Sequence, residues 1–152
     1  MISIRSHRTA LLAAALALGW SVREAQFASA QGKRVASLTM NAAEVQMGDH
    51  TNAGKSAGKA GVYFQGETAG AKTLQVGRFL LEPGATPHAP HQHVDEEVLI
   101  VSRGSGEVFC NGKTVPVKAG AVMFADTNVS HGITNTGDRP LEFYWVKYVP
   151  GR

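Results

Sequence analysis

This sequence is short of several things, and each shortage removes a class of answer. Cysteine occurs once, at Cys110, so no disulfide can close within the chain. Its place in the strand-like stretch 106–111 makes a small buried hydrophobe its default role. Charged residues are only 18% of the total, and they form neither a Lys/Arg stripe nor a recognised reader motif, which excludes a nucleic-acid partner. No apolar run approaches the ~20 residues that a membrane-spanning helix needs. After residue 30 no segment has helical periodicity, so an α or α/β fold is excluded as well.

The first 30 residues have the pattern of a secretory signal peptide. Arg5 and Arg8 supply the positive start, Thr9 to Gly19 a short apolar run, and Ala28-Ser29-Ala30 a cleavage signal before Gln31. Removal of residues 1–30 takes away three positive charges (Arg5, Arg8, Arg23) and one negative (Glu24), so a formal charge of +3 becomes +1. The high isoelectric point is therefore partly a property of the leader. The expectation is an exported chain, periplasmic or secreted, with no membrane attachment after cleavage. The remaining stretch is one domain's worth of chain.

That stretch reads as strands separated by turns. Residues 31–69 hold N-terminal strand candidates at 35–40 and 61–65, and a polar Gly-, Lys- and Ala-rich segment, 48–61, that reads as a mobile surface loop. Residues 70–150 hold the rest: 72–82, 95–102, 107–110, 113–117, 120–125, 129–134 and the aromatic 141–149. Asn111-Gly112 is the strongest hairpin signal, a type I′ candidate, and Pro116 marks an edge or a strand end. Strands at eight- to twelve-residue spacing predict an all-β sandwich or barrel.

Chemistry concentrates in Gly84 to Gly104. His91, His93 and Glu97 are separated by even numbers of residues, and on an extended strand side chains alternate with a period of two, so the three share a face. Glu96 would project from the opposite face. Two imidazoles and a carboxylate suit a divalent Fe, Mn, Ni, Zn or Cu. His131, in a second strand-like segment, offers a fourth ligand. The same parity puts Leu99 and Val101 with Glu97, and turns the apolar Val98 and Ile100 outward, where N-terminal strands or a second subunit would cover them.

In these two stretches the chain resembles the cupin family. The first motif fits through His91-Gln92-His93, Glu97 and Gly104, with the spacer after Gly84 one residue longer than usual. The second fits through Gly120, His131 and Asn135, except that Asp126-Thr127-Asn128 stands where the family has Pro-x-Gly. Asn accepts positive φ better than other non-glycine residues, which makes the exchange structurally readable. The resemblance covers roughly residues 70–148. It implies a single cupin (double-stranded β-helix, or jelly-roll) barrel in which His91, His93, Glu97 and His131 hold one divalent transition metal. It also implies a homodimer.

Alternation suggests Phe79, Leu99, Met123 and Trp145 as barrel walls. His88, three residues before His91, sits near the rim; His50 reads as solvated; Glu82 and Asp126 are proton-carrier candidates without a spacing argument. No residue is singled out as catalytic beyond the metal ligands. The family resemblance implies dioxygenases, decarboxylases, isomerases and non-catalytic binders on one scaffold. The leading expectation is a metal-dependent oxygenase of the quercetinase-like type acting on a small organic molecule. The alternatives are a binder of a small acid, sugar or metal ion, and a barrel that the metal only stabilises.

Overall fold

A computed structural model describes residues 34–151; the signal-peptide reading falls on residues outside that range. Among the described residues there are nine strands and one short 3₁₀ turn, Ala42–Glu44. The strands are β1 (Gly48–Asn52), β2 (Lys55–Gly66), β3 (Ala71–Leu81), β4 (Glu96–Arg103) and β5 (Ser105–Cys110). They continue as β6 (Lys113–Lys118), β7 (Val122–Ala125), β8 (His131–Thr134) and β9 (Leu141–Pro150). Every pairing is antiparallel. The larger sheet runs β1-β2-β3-β9-β4-β7 and the smaller β6-β5-β8, giving an all-β jelly-roll barrel.

Alternation builds the core between the two sheets. On β4, Glu97, Leu99 and Val101 are buried while Ile100 is exposed. On β3 and β9 the inward residues are Phe79, Leu81, Leu141 and Phe143. Val108 and Ile133 close the core from the smaller sheet. Burying a side chain of this size stabilises by ~1.5–3 kcal/mol before chain entropy is counted, so these residues set the strand register.

The turns follow their residue chemistry. Asn111 and Gly112 have φ of 49° and 75°, the positive pair that a type I′ hairpin needs between β5 and β6. Asn128 has φ of 58°, as expected where the motif calls for glycine. Pro116 lies on β6, an edge strand.

Two expectations for the N-terminal part are corrected. The polar segment 48–61 is not a loop: it forms β1 and the first half of β2, joined at Ala53-Gly54. Its small residues hid this, because they are selected by close approach and not by apolar periodicity. Ala57 is fully buried, and a Cβ on Gly58 would lie 2.0 Å from the Leu80 carbonyl oxygen of β3. The segment 35–40 is not a strand; it is held by Val35 N–H donating to the Glu67 carbonyl at 2.7 Å. Near it, residues 34–38 lie with Phe64 and Leu74, and Ile100, Val122 and Phe124 remain exposed.

Candidate metal centre

The continuous strand expected through 91–97 is interrupted. β4 starts only at Glu96, and His91 belongs to an isolated bridge with His131. That bridge brings the ligand candidates together by another route. His91 N–H donates to the His131 carbonyl at 3.0 Å, and His131 N–H to the His91 carbonyl at 2.9 Å, which locks the first motif against β8. Asn128 N–H donates to the His93 carbonyl at 2.7 Å, and Thr127 Oγ1 to the Val94 carbonyl at 2.8 Å. The turn that departs from the family pattern therefore braces the segment carrying His93.

The result is a triangle of imidazoles. Ring centroids are 5.1 Å apart for His91–His93, 4.8 Å for His91–His131 and 4.9 Å for His93–His131. One nitrogen from each lies within 4.8 Å of the others, so the three could hold a metal ion. Glu97 Oε2 sits 3.1 Å from His93 Nε2 and 3.3 Å from His131 Nε2. Glu97 is buried, whereas Glu96 is not, the difference in facing that parity predicts.

The hydrogen bonds behind the rings test whether a cation fits. His93 Nδ1 lies 3.0 Å from the Asp95 carbonyl oxygen, and His131 Nδ1 lies 2.8 Å from that of Val129. A carbonyl only accepts, so each Nδ1 carries the proton and each Nε2 presents a lone pair to the centre. Two lone pairs then face the same carboxylate oxygen, an arrangement that only a proton or a cation between them makes favourable. His91 Nδ1 is buried with no hydrogen-bond partner among the described residues, a second sign of the same kind. These donors fit a divalent transition metal.

Electrostatics acts differently on each of the ligand candidates. Burial, with His88, His131 and His93 adding to it, pushes His91 down to about 4, so its ring is neutral. Burial alone would raise Glu97, but the hydrogen bond and charge of His131, then Lys147 and His93, outweigh it and hold the carboxyl below its ordinary value. The Glu97 hydrogen bond raises His131.

The remaining candidates divide. Asn135 is fully buried and structural: Nδ2 donates to the carbonyls of Leu81 and Arg139, both at 2.9 Å, and Oδ1 accepts from Gly137 N–H at 3.0 Å. His88 is an exposed rim residue stacked edge-on against His91 at 4.1 Å between centroids. Glu82 and Asp126 are exposed, bonded to Ser56 and Thr127, and line no part of the cavity beside the histidines. Cys110 is half-buried.

That cavity has a volume of about 330 Å³. Phe79, Leu99 and Trp145 line it as expected, whereas Met123 is packed in the core and not on its wall. Three polar lining residues had not been read as part of the site: His50, Gln75 and Lys147. His50 is not solvated; its Nε2 lies 3.0 Å from the Pro87 carbonyl oxygen and its ring meets Phe79 edge-on at 5.1 Å. Gln75 Oε1 accepts from Trp145 Nε1 at 2.9 Å. The indole lies over Gly77, where a Cβ would come within 2.0 Å of it.

Residues 77–147 match the model of the cupin domain. A curated relative, an oxalate-binding protein of Thermotoga maritima, is 44% identical over 70 residues, which are 45% of this chain and 57% of the relative. The chain thus spans just over half the length of that relative. A crystal structure from Thermotoga maritima described as a predicted oxalate decarboxylase superposes with a TM-score of 0.58 at 27% identity, covering 74% of this chain and 99% of that one. An RmlC-like cupin of Shewanella frigidimarina gives 0.56 at 17% identity, covering 77% and 94%, a likeness of fold. With the domain match, the barrel and the histidine triangle in agreement, residues 77–147 form a single small cupin domain whose three histidines could hold a metal ion.

Proposed function

We propose that this chain is an exported, metal-dependent cupin that takes a small organic acid onto the metal held by His91, His93, Glu97 and His131. The observation that carries the reading is the convergence of two Nε2 lone pairs and one carboxylate oxygen within 3.3 Å beside an open cavity. Four protein ligands leave a six-coordinate ion open positions, and such an ion supplies Lewis-acid polarisation of a bound oxygen. The chain's own part is to hold the rings by their Nδ1 bonds, to keep His91 neutral and to exclude bulk water with Phe79, Leu99 and Trp145. The oxalate-binding relative supports an acid as the ligand.

Calorimetric titration of oxalate into metal-loaded and chelator-stripped protein tests this reading. Saturable binding only in the loaded form is expected; equal binding in both would overturn the metal's role. The open positions also favour a second reading, dioxygenase-type turnover of an enolisable acid, which requires oxygen consumption by the iron-loaded protein. Binding without oxygen uptake leaves a carrier.

The outer face of β4 and β7 supports a homodimer. Ile100, Val122 and Phe124 are 39%, 66% and 55% exposed, and Ile100 pairs with Val122 as Val98 does with Phe124. A second copy would cover this patch; a stable monomer at high concentration, by mass measurement, would sink that reading. Export predicts an intact mass beginning at Gln31.

A further inference from the structure

The ligand's class can be narrowed from the barrel wall, resting on the metal reading above. Strands β3, β9 and β4 lie side by side, and their registers align residues into rungs across the three strands. One rung is Gln75–Lys147–Glu97, and another is Gly77–Trp145–Leu99. Both rungs contribute to the cavity. The first carries charge beside the metal site; the second is apolar, with the Trp145 indole packed over the bare backbone of Gly77.

Lys147 is the unusual member. Its neighbours on the rung are a carboxylate and an amide, yet among the described residues no carboxylate oxygen lies within 4.0 Å of its ammonium. It is half-buried and lines the cavity. A cavity-lining ammonium without an ion-pair partner is a ready counter-charge for an incoming anion. Glu97, opposite it on β4, feels its charge at longer range, but its Oε2 faces His93 and His131 and neither of its oxygens comes within ion-pair distance of Lys147. Gln75 cannot serve as an anion, and its amide is already oriented, accepting from Trp145 and donating to Gln65 Oε1 at 2.9 Å.

Size points the same way. Even at a full water's share of roughly 30 Å³ per non-hydrogen atom, the six of oxalate would fill little more than half the cavity. The surplus adjoins Trp145, Phe79 and Phe143, whose rings favour a flat apolar group.

We infer that Lys147 is the specificity-determining residue of this site, selecting a monocarboxylate whose aromatic side group packs on the Trp145–Phe79 wall. Phenylpyruvate is a probe of that class, phenylacetone its uncharged counterpart, and oxalate the compact rival. Each is titrated calorimetrically into the full chain as purified, with metal content measured for every sample. Wild-type protein should bind phenylpyruvate at least tenfold more tightly than oxalate, and phenylacetone tenfold more weakly than phenylpyruvate. Lys147→Gln should lose at least tenfold in phenylpyruvate affinity at unchanged metal content, and Lys147→Arg should keep most of it. Oxalate binding as tightly as phenylpyruvate, or Lys147→Gln binding like wild type, would overturn the inference. Lys147-dependent binding by protein that holds no metal would overturn the metal reading and keep the selector. Failure to bind either acid would overturn the selector itself.

Discussion

Replacing Asn135 by alanine separates framework from ligand within the second motif. The side chain is fully buried and makes three hydrogen bonds: two donated to the carbonyls of Leu81 and Arg139, one accepted from Gly137 N–H. Each such bond has a net value of about 1 kcal/mol, and each partner left buried and unpaired adds to the loss. Asn135→Ala should therefore destabilise by about 3 kcal/mol, which lowers the melting temperature of a domain this size by about 10 °C. Asn135→Asp should be no better, since it sets a carboxylate against two carbonyl oxygens. Asn135 contributes no atom to the histidine triangle, so both variants should retain the wild-type metal content well below their melting points. Scanning calorimetry with elemental analysis of the same samples gives both numbers. A drop under about 3 °C would refute the hydrogen-bond account, and lost metal at an unchanged melting temperature would make Asn135 part of the site.

Further outcomes follow from the wall and from the charges. Gly77→Ala puts a methyl 2.0 Å from the Trp145 ring, so the indole must move; a destabilisation of ~1–3 kcal/mol and a shifted Trp145 emission are expected, and an unaltered spectrum would contradict the packing. In metal-free protein His91 is held down to about 4 from an ordinary 6.5, so the folded state binds fewer protons than the unfolded one between those values. Stability should fall as pH drops through that window, and His91→Gln should flatten the fall seen in thermal melts. His131, raised by Glu97, acts in the opposite sense: its contribution is full below 6.5 and is lost as pH rises through its folded value. Glu97, held low, contributes above the ordinary carboxylate range and loses that contribution as pH falls through its folded value. A melting temperature rising on acidification from 6.5 to 4.5 would contradict the dominance of His91. With metal bound, protons compete for the same nitrogens and acid should release the ion.

Local patterns in the sequence carried much of this architecture. Alternation placed Glu97, Leu99 and Val101 on one face, Asn111-Gly112 marked its hairpin, and Asn128 took the positive φ that its position in the motif demands. These are short-range properties, readable within a few residues. What escaped depends on pairings far apart in the chain. Segment 48–61 is a hairpin because β3 offers it a partner, and its Gly and Ala residues serve that contact. His50 reaches the cavity only as a consequence. Gln75, Lys147 and Glu97 share a rung only once the registers of β3, β9 and β4 are known. Even the even spacing of His91, His93 and Glu97 worked for a partly different reason: the strand is broken before Glu96, and the bridge between His91 and His131 restores the alignment.

The most direct test of the metal centre is elemental analysis of the protein purified without a histidine tag and with metal supplied, beside His131→Ala. About one Fe, Mn, Ni, Cu or Zn per chain, lost in a variant that keeps its β-type circular dichroism, is the predicted result. Negligible metal in folded wild-type protein, or an equal amount in both, would contradict it.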